Sequence, residues 1–298
     1  PQSRRDDAAP LRVVRHVGPV TTGYAVVLDT GTDTVSAEIV DAVGVITFNR
    51  PERRNALHAE MYEAVPRLLE RYGSDDNVGC VLMTGAGSAF CAGGDVRDGG
   101  WDVNGTAGND TESQVRSRAA ALTRNARMIQ LLREIPKVTI AALPGPAVGA
   151  GMSIALSTDL RIAASSARLI PGWGRLAFSG DFGGAWFLTR LVGPSIAMQL
   201  LIDGNPIDAE MALRLGLVNR VVDDADLRPA ALAWAVEIAH GPTTAWAGVK
   251  ANVAEAQDLP LDQALVRESE RMVRCGMSAE HHAAVRAWLD TAAKKAAT

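Results

Sequence analysis

Cysteine is scarce in this chain, and its few cysteines form no recognisable pattern. Cys80, Cys91 and Cys275 are the only three in 298 residues. Their spacing fits no zinc site, and an odd number cannot pair completely into disulfides. Reduced thiols are typical of a reducing compartment, so we expect a cytoplasmic protein. The sequence gives no reason to expect a bound metal.

Long apolar runs and an excess of basic charge are also missing. No uninterrupted apolar run approaches the roughly 20 residues of a membrane span, and the amino-terminal residues lack the apolar core of a signal peptide. The net charge of −4 gives no reason to expect nucleic acid or an anionic membrane as a partner. No dinucleotide fingerprint or Walker segment stands between a predicted strand and a helix, so we expect no separate cofactor.

Two short segments rich in small residues stand out instead, each after a β-rich apolar run. Residues 89–95 (AFCAGGD) follow the run 78–84, and residues 145–151 (GPAVGAG) follow the run 138–143. Small residues let the backbone approach a ligand closely, and N–H groups at the start of a helix favour negative charge. Two such segments can direct two backbone donors at one oxygen, which is an oxyanion hole.

Strand and helix patterns alternate along most of the chain, which favours an α/β fold built from repeated ββα units. We interpret residues 1–33 as an amino-terminal extension, residues 34–206 as the ββα core, and residues 207–298, where helical patterns dominate, as a separate helical lobe. Residues 98–111 are rich in Gly, Asp and Asn, so they predict a loop in which Trp101 is the one large apolar residue.

Apolar periodicity predicts a hairpin and two helices within the core. Residues 35–40 and 44–48 are typical of two paired strands around a turn at Asp41-Ala42. Apolar spacing predicts helices over residues 57–72 and 119–132.

Five stretches, taken in order, resemble the enoyl-CoA hydratase/isomerase family, also called the crotonase superfamily. They are residues 46–57 (ITFNRPERRNAL), 90–95, 144–151, 183–193 and 212–219 (ALRLGLVN). The resemblance implies a crotonase-like spiral of ββα units with a C-terminal helical lobe. It also implies an acyl-CoA thioester substrate, in which CoA is part of the substrate, and assembly as a homotrimer or a dimer of trimers.

By that resemblance, the two oxyanion donors are the backbone N–H groups of Gly94 and Ala150. Arg53 and Arg54 match a basic position near the CoA phosphates, although ordinary surface charge is the alternative for each. The backbone expected to line the adenine site belongs to Ala56, Ala92, Asp95 and Val96.

Both catalytic glutamates of the family's hydratases are absent. Their positions hold Ser153 and Trp173. Adding water across a conjugated thioester needs a base for the water and an acid for the α-carbon, so we expect poor hydratase activity. We expect Ser153, Trp173 and the loop residue Trp101 to border the acyl group, with core packing as the alternative for Trp173.

Asp181 fills a third carboxylate position of the family. Some of its double-bond isomerases move a proton with an aspartate here. Its 4-chlorobenzoyl-CoA dehalogenases use the aspartate as a nucleophile, with a tryptophan at the position of Trp173 and a histidine at the position of Ala126. This chain therefore lacks the base of their hydrolytic step. The alternative for Asp181 is a helix cap, since Asp is a preferred N-cap residue.

The sequence favours an enoyl-CoA double-bond isomerase that uses Asp181 and two backbone donors. A hydratase-like or ring-hydrolysing enzyme is the second interpretation, and a catalytically silent CoA-binding protein of the same fold is the third. Loss of both glutamates favours the silent protein, whereas retention of Asp181 and both small-residue segments opposes it.

Overall fold

The computed structural model describes residues 13–15, 25–95 and 111–296. Val96, Trp101 and most of the predicted loop at 98–111 lie outside the described residues. The strands are β1 (Val13–Arg15), β2 (Ala25–Leu28), β3 (Val35–Val40), β4 (Val43–Phe48), β5 (Cys80–Gly85), β6 (Val138–Leu143), β7 (Ala147–Val148), β8 (Leu160–Ala164), β9 (Arg168–Ile170), β10 (Ile207–Asp208) and β11 (Arg220–Val222). The helices are α1 (Ala59–Ser74), α2 (Glu112–Asn125), α3 (Arg127–Glu134), α4 (Ala150–Ser157), α5 (Gly184–Asp203), α6 (Ala209–Arg214), α7 (Leu227–Ala239), α8 (Thr243–Glu255), α9 (Leu261–Gly276) and α10 (Ala279–Ala296).

Eight of the described strands form one sheet in the order β1-β2-β3-β4-β5-β6-β8-β11. Strands β1 to β4 are antiparallel neighbours, whereas β4, β5, β6, β8 and β11 run parallel. The second sheet has the order β10-β9-β7. Parallel neighbours need crossover connections, and helices such as α1 between β4 and β5 supply them. The predicted mixed α/β architecture is confirmed.

Helix α1 covers one face of the large sheet with an apolar stripe at helical spacing. Met61, Leu68 and Tyr72 are fully buried in this contact. The Tyr72 ring lies directly over Gly44 of β4, where an added Cβ would stand 2.6 Å from the ring. The glycine therefore lets the helix pack close to the sheet.

The predicted hairpin is present as β3 and β4. Asp41 and Ala42 both have positive φ, 47° and 63°, which is the conformation of a two-residue type I′ turn. The turn fixes the register in which Val40 pairs with Val43.

The single helix predicted over residues 119–132 is instead two helices. Helix α2 begins earlier, where the Thr111 hydroxyl accepts a hydrogen bond from the backbone N–H of Gln114. The break falls at Ala126, whose ψ is 5°. Apolar spacing continues across this residue, so periodicity alone did not reveal the break. Helix α3 then turns into the core, where Met128 and Leu132 are fully buried.

The sheets extend beyond both of the boundaries expected from the sequence. Residues 25–28, expected in the amino-terminal extension, pair with β3. Strand β10 pairs with β9, and β11 joins the large sheet beside β8. Helix α7 packs against that sheet through Leu227, Ala231 and Ala235. The helical lobe expected from residue 207 is therefore limited to α8, α9 and α10.

Helix α5 is the one described helix that is long and apolar enough to cross a membrane, by length and composition alone. Gly193, with φ of 78° and ψ of 162°, interrupts its helical geometry just before Pro194. Much of its apolar surface is exposed in the single chain, including Met198 and Ile202. Such a surface is typical of a contact with another molecule.

Candidate active site

The two small-residue segments meet at one edge of the large sheet. They follow β5 and β6, which are parallel neighbours, so both chains leave the sheet at the same end. Cys91 and Ala147 form a parallel bridge, and the Val148 N–H donates to the Cys91 carbonyl at 2.9 Å. Gly151 permits this contact, because an added Cβ would stand 2.3 Å from the same carbonyl oxygen. Main-chain hydrogen bonds therefore join the two segments.

Gly94 presents a free backbone donor in the first segment. The Leu57 N–H donates to the Gly93 carbonyl at 2.8 Å, and the Asp95 N–H donates to the Leu57 carbonyl at 3.2 Å. The intervening Gly94 is exposed, and no oxygen among the described residues accepts a hydrogen bond from its N–H. That donor is available to a ligand.

Ala150 presents the corresponding donor in the second segment. It is the first residue of α4, after the left-handed Gly149, so its N–H is one of the donors that a helix start leaves unpaired. A Cβ added to Gly93 would stand 3.6 Å from the Ala150 nitrogen. The two segments therefore approach each other closely next to Gly94 and Ala150.

Trp173 connects this region to Asp181. Its indole Nε1–H donates to Asp181 Oδ1 at 2.7 Å, and its ring is buried beside two glycines. A Cβ added to Gly184 would stand 2.3 Å from the ring, and one added to Gly149 would stand 3.6 Å from Nε1. The Ser153 hydroxyl donates to the Asp181 backbone carbonyl at 3.2 Å. The two positions expected to border the acyl group thus hold Asp181 in place.

The Asp181 carboxylate is half-buried, and two effects oppose each other there. Burial raises its pKa above the ordinary value, while the hydrogen bond from Trp173 lowers the pKa again. A carboxylate with a raised pKa is a stronger base, provided that it still ionises at the working pH.

The helix-cap alternative for Asp181 is wrong. Helix α5 begins at Gly184 with Gly183 as its N-cap, and no side chain caps it. Only the backbone of Asp181 takes part, because its carbonyl accepts from the Gly184 N–H at 3.0 Å. The carboxylate is directed to Trp173 instead.

A cavity of about 370 Å³ opens beside the Asp181 carboxylate. Among the described residues that line it, Asp181 is the one with an ionisable side chain. The lining residues are Leu122, Thr123, Ala126, Ile129, Gln130, Asp181, Phe182 and Gly183. Ala126, at the break between α2 and α3, therefore lines the same cavity as Asp181.

The turn that carries Asp181 contains several left-handed residues. Gly180, Phe182 and Gly183 have φ values of 118°, 50° and 76°. For Phe182 this conformation is strained, and its buried ring packs against Tyr62 of α1 with 6.1 Å between ring centroids. Burial raises the pKa of Tyr62. Tyr62 adjoins the site, and no motif in the sequence pointed to it.

The residues expected near CoA lie around one turn. Arg53 and Arg54 are exposed, and the Ala92 N–H donates to the Arg54 carbonyl at 3.0 Å. Arg50, which sequence reasoning missed, donates from Nη1 to the Ala56 carbonyl at 2.7 Å and to Asp95 Oδ2 at 3.1 Å. The structure thus places Arg53, Arg54 and Ala56 on a turn that bonds to Ala92 and Asp95 of the first segment.

The other reactive side chains near the site are poorly suited to nucleophilic chemistry. Cys91 is fully buried, and burial raises the pKa of its thiol to about 12. Ser153 is also fully buried. In the described part of the chain, no three His, Cys, Asp or Glu side chains are grouped to hold a metal ion.

Comparisons with known proteins agree with this geometry. The sequence profile of the enoyl-CoA hydratase/isomerase family matches residues 38–295. The 1,2-epoxyphenylacetyl-CoA isomerase of Escherichia coli K12 is 35% identical over 86% of this chain and 95% of its own length. The 4-chlorobenzoyl coenzyme A dehalogenase-2 of an Arthrobacter species is 32% identical over 80% of this chain and 84% of its own.

A solved structure leads to the same class. The enoyl-CoA hydratase of Bacillus anthracis superposes with a TM-score of 0.78 and 28% identity, over 87% of this chain and 96% of that chain. The protein is therefore an acyl-CoA enzyme of the crotonase type. It belongs to the enoyl-CoA hydratase/isomerase family.

Proposed function

We propose that this enzyme is an acyl-CoA double-bond isomerase with Asp181 as its base. One observation carries the proposal: Trp173 holds the Asp181 carboxylate at 2.7 Å, at the edge of a cavity in which no other described lining residue is ionisable. Similarity to a protein named as an epoxyphenylacetyl-CoA isomerase supports isomerase chemistry.

In the proposed reaction, the thioester oxygen accepts hydrogen bonds from the N–H groups of Gly94 and Ala150. Asp181 removes a proton from the α-carbon of a 3-enoyl-CoA, and the electron pair moves into a dienolate whose charge rests on that oxygen. The protonated Asp181 then returns the proton to the γ-carbon, which gives the conjugated 2-enoyl-CoA. A single carboxylate performs both transfers, so neither a second acid nor water is needed.

Two features weigh against hydration. The Ser153 hydroxyl already donates to the Asp181 carbonyl, and the Trp173 indole donates to the carboxylate. Neither side chain can act as a general base for water. We expect slow hydration of crotonyl-CoA, and a turnover on the order of 10 per second would favour a hydratase instead.

Asp181→Asn tests the proposal, because it keeps the size of the side chain and removes the proton carrier. We expect turnover of a 3-enoyl-CoA to fall by roughly 100-fold or more, together with α-proton exchange in deuterated water, while acyl-CoA affinity stays nearly unchanged. Asp208→Asn is the matched control, since that aspartate caps α6 away from the cavity. Near-wild-type turnover in Asp181→Asn would exclude Asp181 as the base.

A panel of acyl-CoA thioesters separates the remaining interpretations. Binding by wild-type protein with neither isomerisation nor hydration would indicate a silent CoA-binding protein. The same panel addresses the expected roles of Arg53 and Arg54, because replacing either should weaken binding of CoA itself if it contacts the phosphates.

We also propose that the enzyme is a cytoplasmic homotrimer or dimer of trimers. The exposed apolar side chains of Met198 and Ile202 on α5, and of Leu261 and Met272 on α9, support an interface. Light scattering should give a mass three or six times that of one chain. The free thiols of the cysteines are consistent with a reducing compartment, which cell fractionation would test.

A further inference from the structure

Asn55 lies fully buried beside the first small-residue segment, and it is not among the residues that line the cavity at Asp181. Its amide Nδ2 donates two hydrogen bonds, to the Ala86 carbonyl at 2.9 Å and to the Ala89 carbonyl at 2.8 Å. Its Oδ1 accepts from the Arg50 N–H at 2.9 Å. Both amide hydrogens of Asn55 are therefore hydrogen-bonded, and their acceptors, the Ala86 and Ala89 carbonyls, belong to the turn at the start of residues 89–95.

The backbone around Asn55 is shaped for this contact. Arg54 and Asn55 have φ values of 51° and 58°, a left-handed conformation that asparagine tolerates better than most residues. Gly85 leaves the space that the amide occupies, since an added Cβ would stand 2.6 Å from Nδ2 and 2.2 Å from the Ala89 oxygen. The left-handed backbone at Asn55 and the missing side chain at Gly85 thus both accommodate the Asn55 amide.

The turn of residues 50–57 holds the first segment at both ends. At the start, Asn55 holds the Ala89 carbonyl. At the other end, Leu57 bonds to the residues on either side of Gly94, and Arg50 pairs with Asp95. Among the described residues, no oxygen accepts a hydrogen bond from the Gly94 N–H, and a Cβ added to Gly94 would meet nothing within 4 Å. The position of its N–H follows from these flanking bonds.

We propose that Asn55 is a positioning residue for the oxyanion site, which sets the place of the Gly94 N–H through the carbonyls of Ala86 and Ala89. The inference rests on the proposed function, because it requires Gly94 to bind the thioester oxygen. Misplacing a catalytic group by about 1 Å can cost on the order of 100-fold in rate, so a residue remote from substrate can act in this way.

Asn55→Gly is the sharpest variant, because glycine adopts positive φ without strain and only the amide is lost. Thr139→Val is the matched control. Thr139 is also fully buried, and its hydroxyl bonds to the carboxylate and the N–H of Asp159, apart from the residues of the site. Both variants lose buried hydrogen bonds and should lower thermal stability. Only Asn55→Gly removes hydrogen bonds to the turn that precedes Gly94.

Three measurements distinguish positioning from plain stability. The first is the carbonyl stretching frequency of a bound thioester labelled with ¹³C, which hydrogen bonds at an oxyanion site lower. The second compares affinity for a non-reacting thioester with affinity for its thioether analogue, which has no carbonyl oxygen. The third is kcat with the 3-enoyl-CoA, measured where each variant is folded by circular dichroism.

For Asn55→Gly we expect a smaller frequency shift, weaker binding of the thioester alone, and kcat lower by on the order of 100-fold. Thr139→Val should keep wild-type values for all three. If Asn55→Gly does not fold, Asn55→Asp gives the comparison, because it keeps the shape and the left-handed tolerance but places an acceptor against the two carbonyls.

The outcomes separate the two proposals. If wild-type protein shows no frequency shift and no preference for thioester over thioether, the oxyanion site itself is wrong and the role of Asn55 falls with it. If wild-type protein shows both and the Asn55 variant retains both with unchanged kcat, Asn55 only stabilises the fold and the inference is overturned.

Discussion

Trp173 and Asp181 are joined by a hydrogen bond of 2.7 Å from the indole Nε1–H to carboxylate Oδ1. No group among the described residues donates to the second oxygen, Oδ2, so it can face a substrate proton. By resemblance to the family, Trp173 stands at a position where hydratases are expected to carry a glutamate. In this chain, Trp173 provides no acid at that position, and its indole instead holds the carboxylate of Asp181.

Replacing Trp173 by Phe should shift the pH dependence of catalysis. The indole bond favours the ionised carboxylate and lowers the pKa of Asp181, so its loss raises that pKa. A base works in its ionised form, and the acidic limb of the kcat/KM profile should move to higher pH. Trp234→Phe, on α7, is the control and should leave the limb in place. If the acidic limb of the Trp173→Phe profile stays at the wild-type pH, the indole hydrogen bond does not set the pKa of Asp181.

Asp181→Asn should make the protein more stable at neutral pH. Burial raises the pKa of Asp181 in the folded state, so its contribution to stability is full below the unfolded pKa, about 3.9, and is lost as pH rises through the folded pKa. The midpoint of thermal unfolding should therefore rise at pH 8 and change little near pH 3.

Asp224→Asn provides a control of opposite sign. Hydrogen bonds from Ser166 and Ser165 lower the pKa of Asp224, so its contribution is present above the unfolded pKa and is lost on acidification. This variant should lower the midpoint at pH 8. Equal behaviour of the two variants would contradict the assigned pKa directions.

Ala126→Leu should narrow the range of acyl groups that the enzyme accepts. Ala126 lines the same cavity as Asp181, and the larger side chain would fill part of that cavity. We expect kcat/KM for long 3-enoyl-CoA substrates to fall about tenfold or more, with little change for the shortest. Ala119→Leu, at an exposed position of α2, should alter neither value. A uniform loss for all chain lengths would place the acyl group elsewhere.

Lys250→Met should loosen the attachment of the helical lobe. Lys250 of α8 is only 6% exposed and lies 2.9 Å from Asp159 Oδ2. Its Nζ also donates to the Leu132 and Lys137 carbonyls at 2.7 and 2.9 Å. Removing one partner of a buried ion pair costs about 3 kcal/mol or more.

Urea denaturation would measure the loss in Lys250→Met, and amide exchange should increase first in α8. Arg228→Met is the control, because that arginine is 91% exposed and surface ion pairs contribute little. A lobe that exchanges as slowly as in wild-type protein would show that apolar packing alone holds it.

The convergence of the two small-residue segments could be predicted because it depends on the backbone. Apolar runs of β character marked β5 and β6, and parallel neighbours bring the segments that follow them to one edge. The bond between Trp173 and Asp181 could not be predicted. The chain between them turns through left-handed residues at Ala177 and Gly180, and no pattern in the sequence specifies that path.

The extent of the helical lobe was missed for a related reason. Helix α7 carries Leu227, Ala231 and Ala235 at a spacing of four residues. That stripe predicts a packed helix but not its partner, and only the pairing of β11 with β8 places α7 on the sheet. The role of Asn55 was hidden likewise, because its two acceptors lie more than 30 residues further along the chain.

The backbone bridge between Cys91 and Ala147 has a consequence for how new activities arise on this scaffold. In the proposed reaction, main-chain N–H groups activate the thioester, whereas the side chain of Asp181 moves the proton. Mutation can therefore exchange the reactive side chains while the carbonyl-binding unit is inherited intact. On that proposal, a substitution at Asp181 changes the acid–base chemistry and leaves the main-chain donors in place.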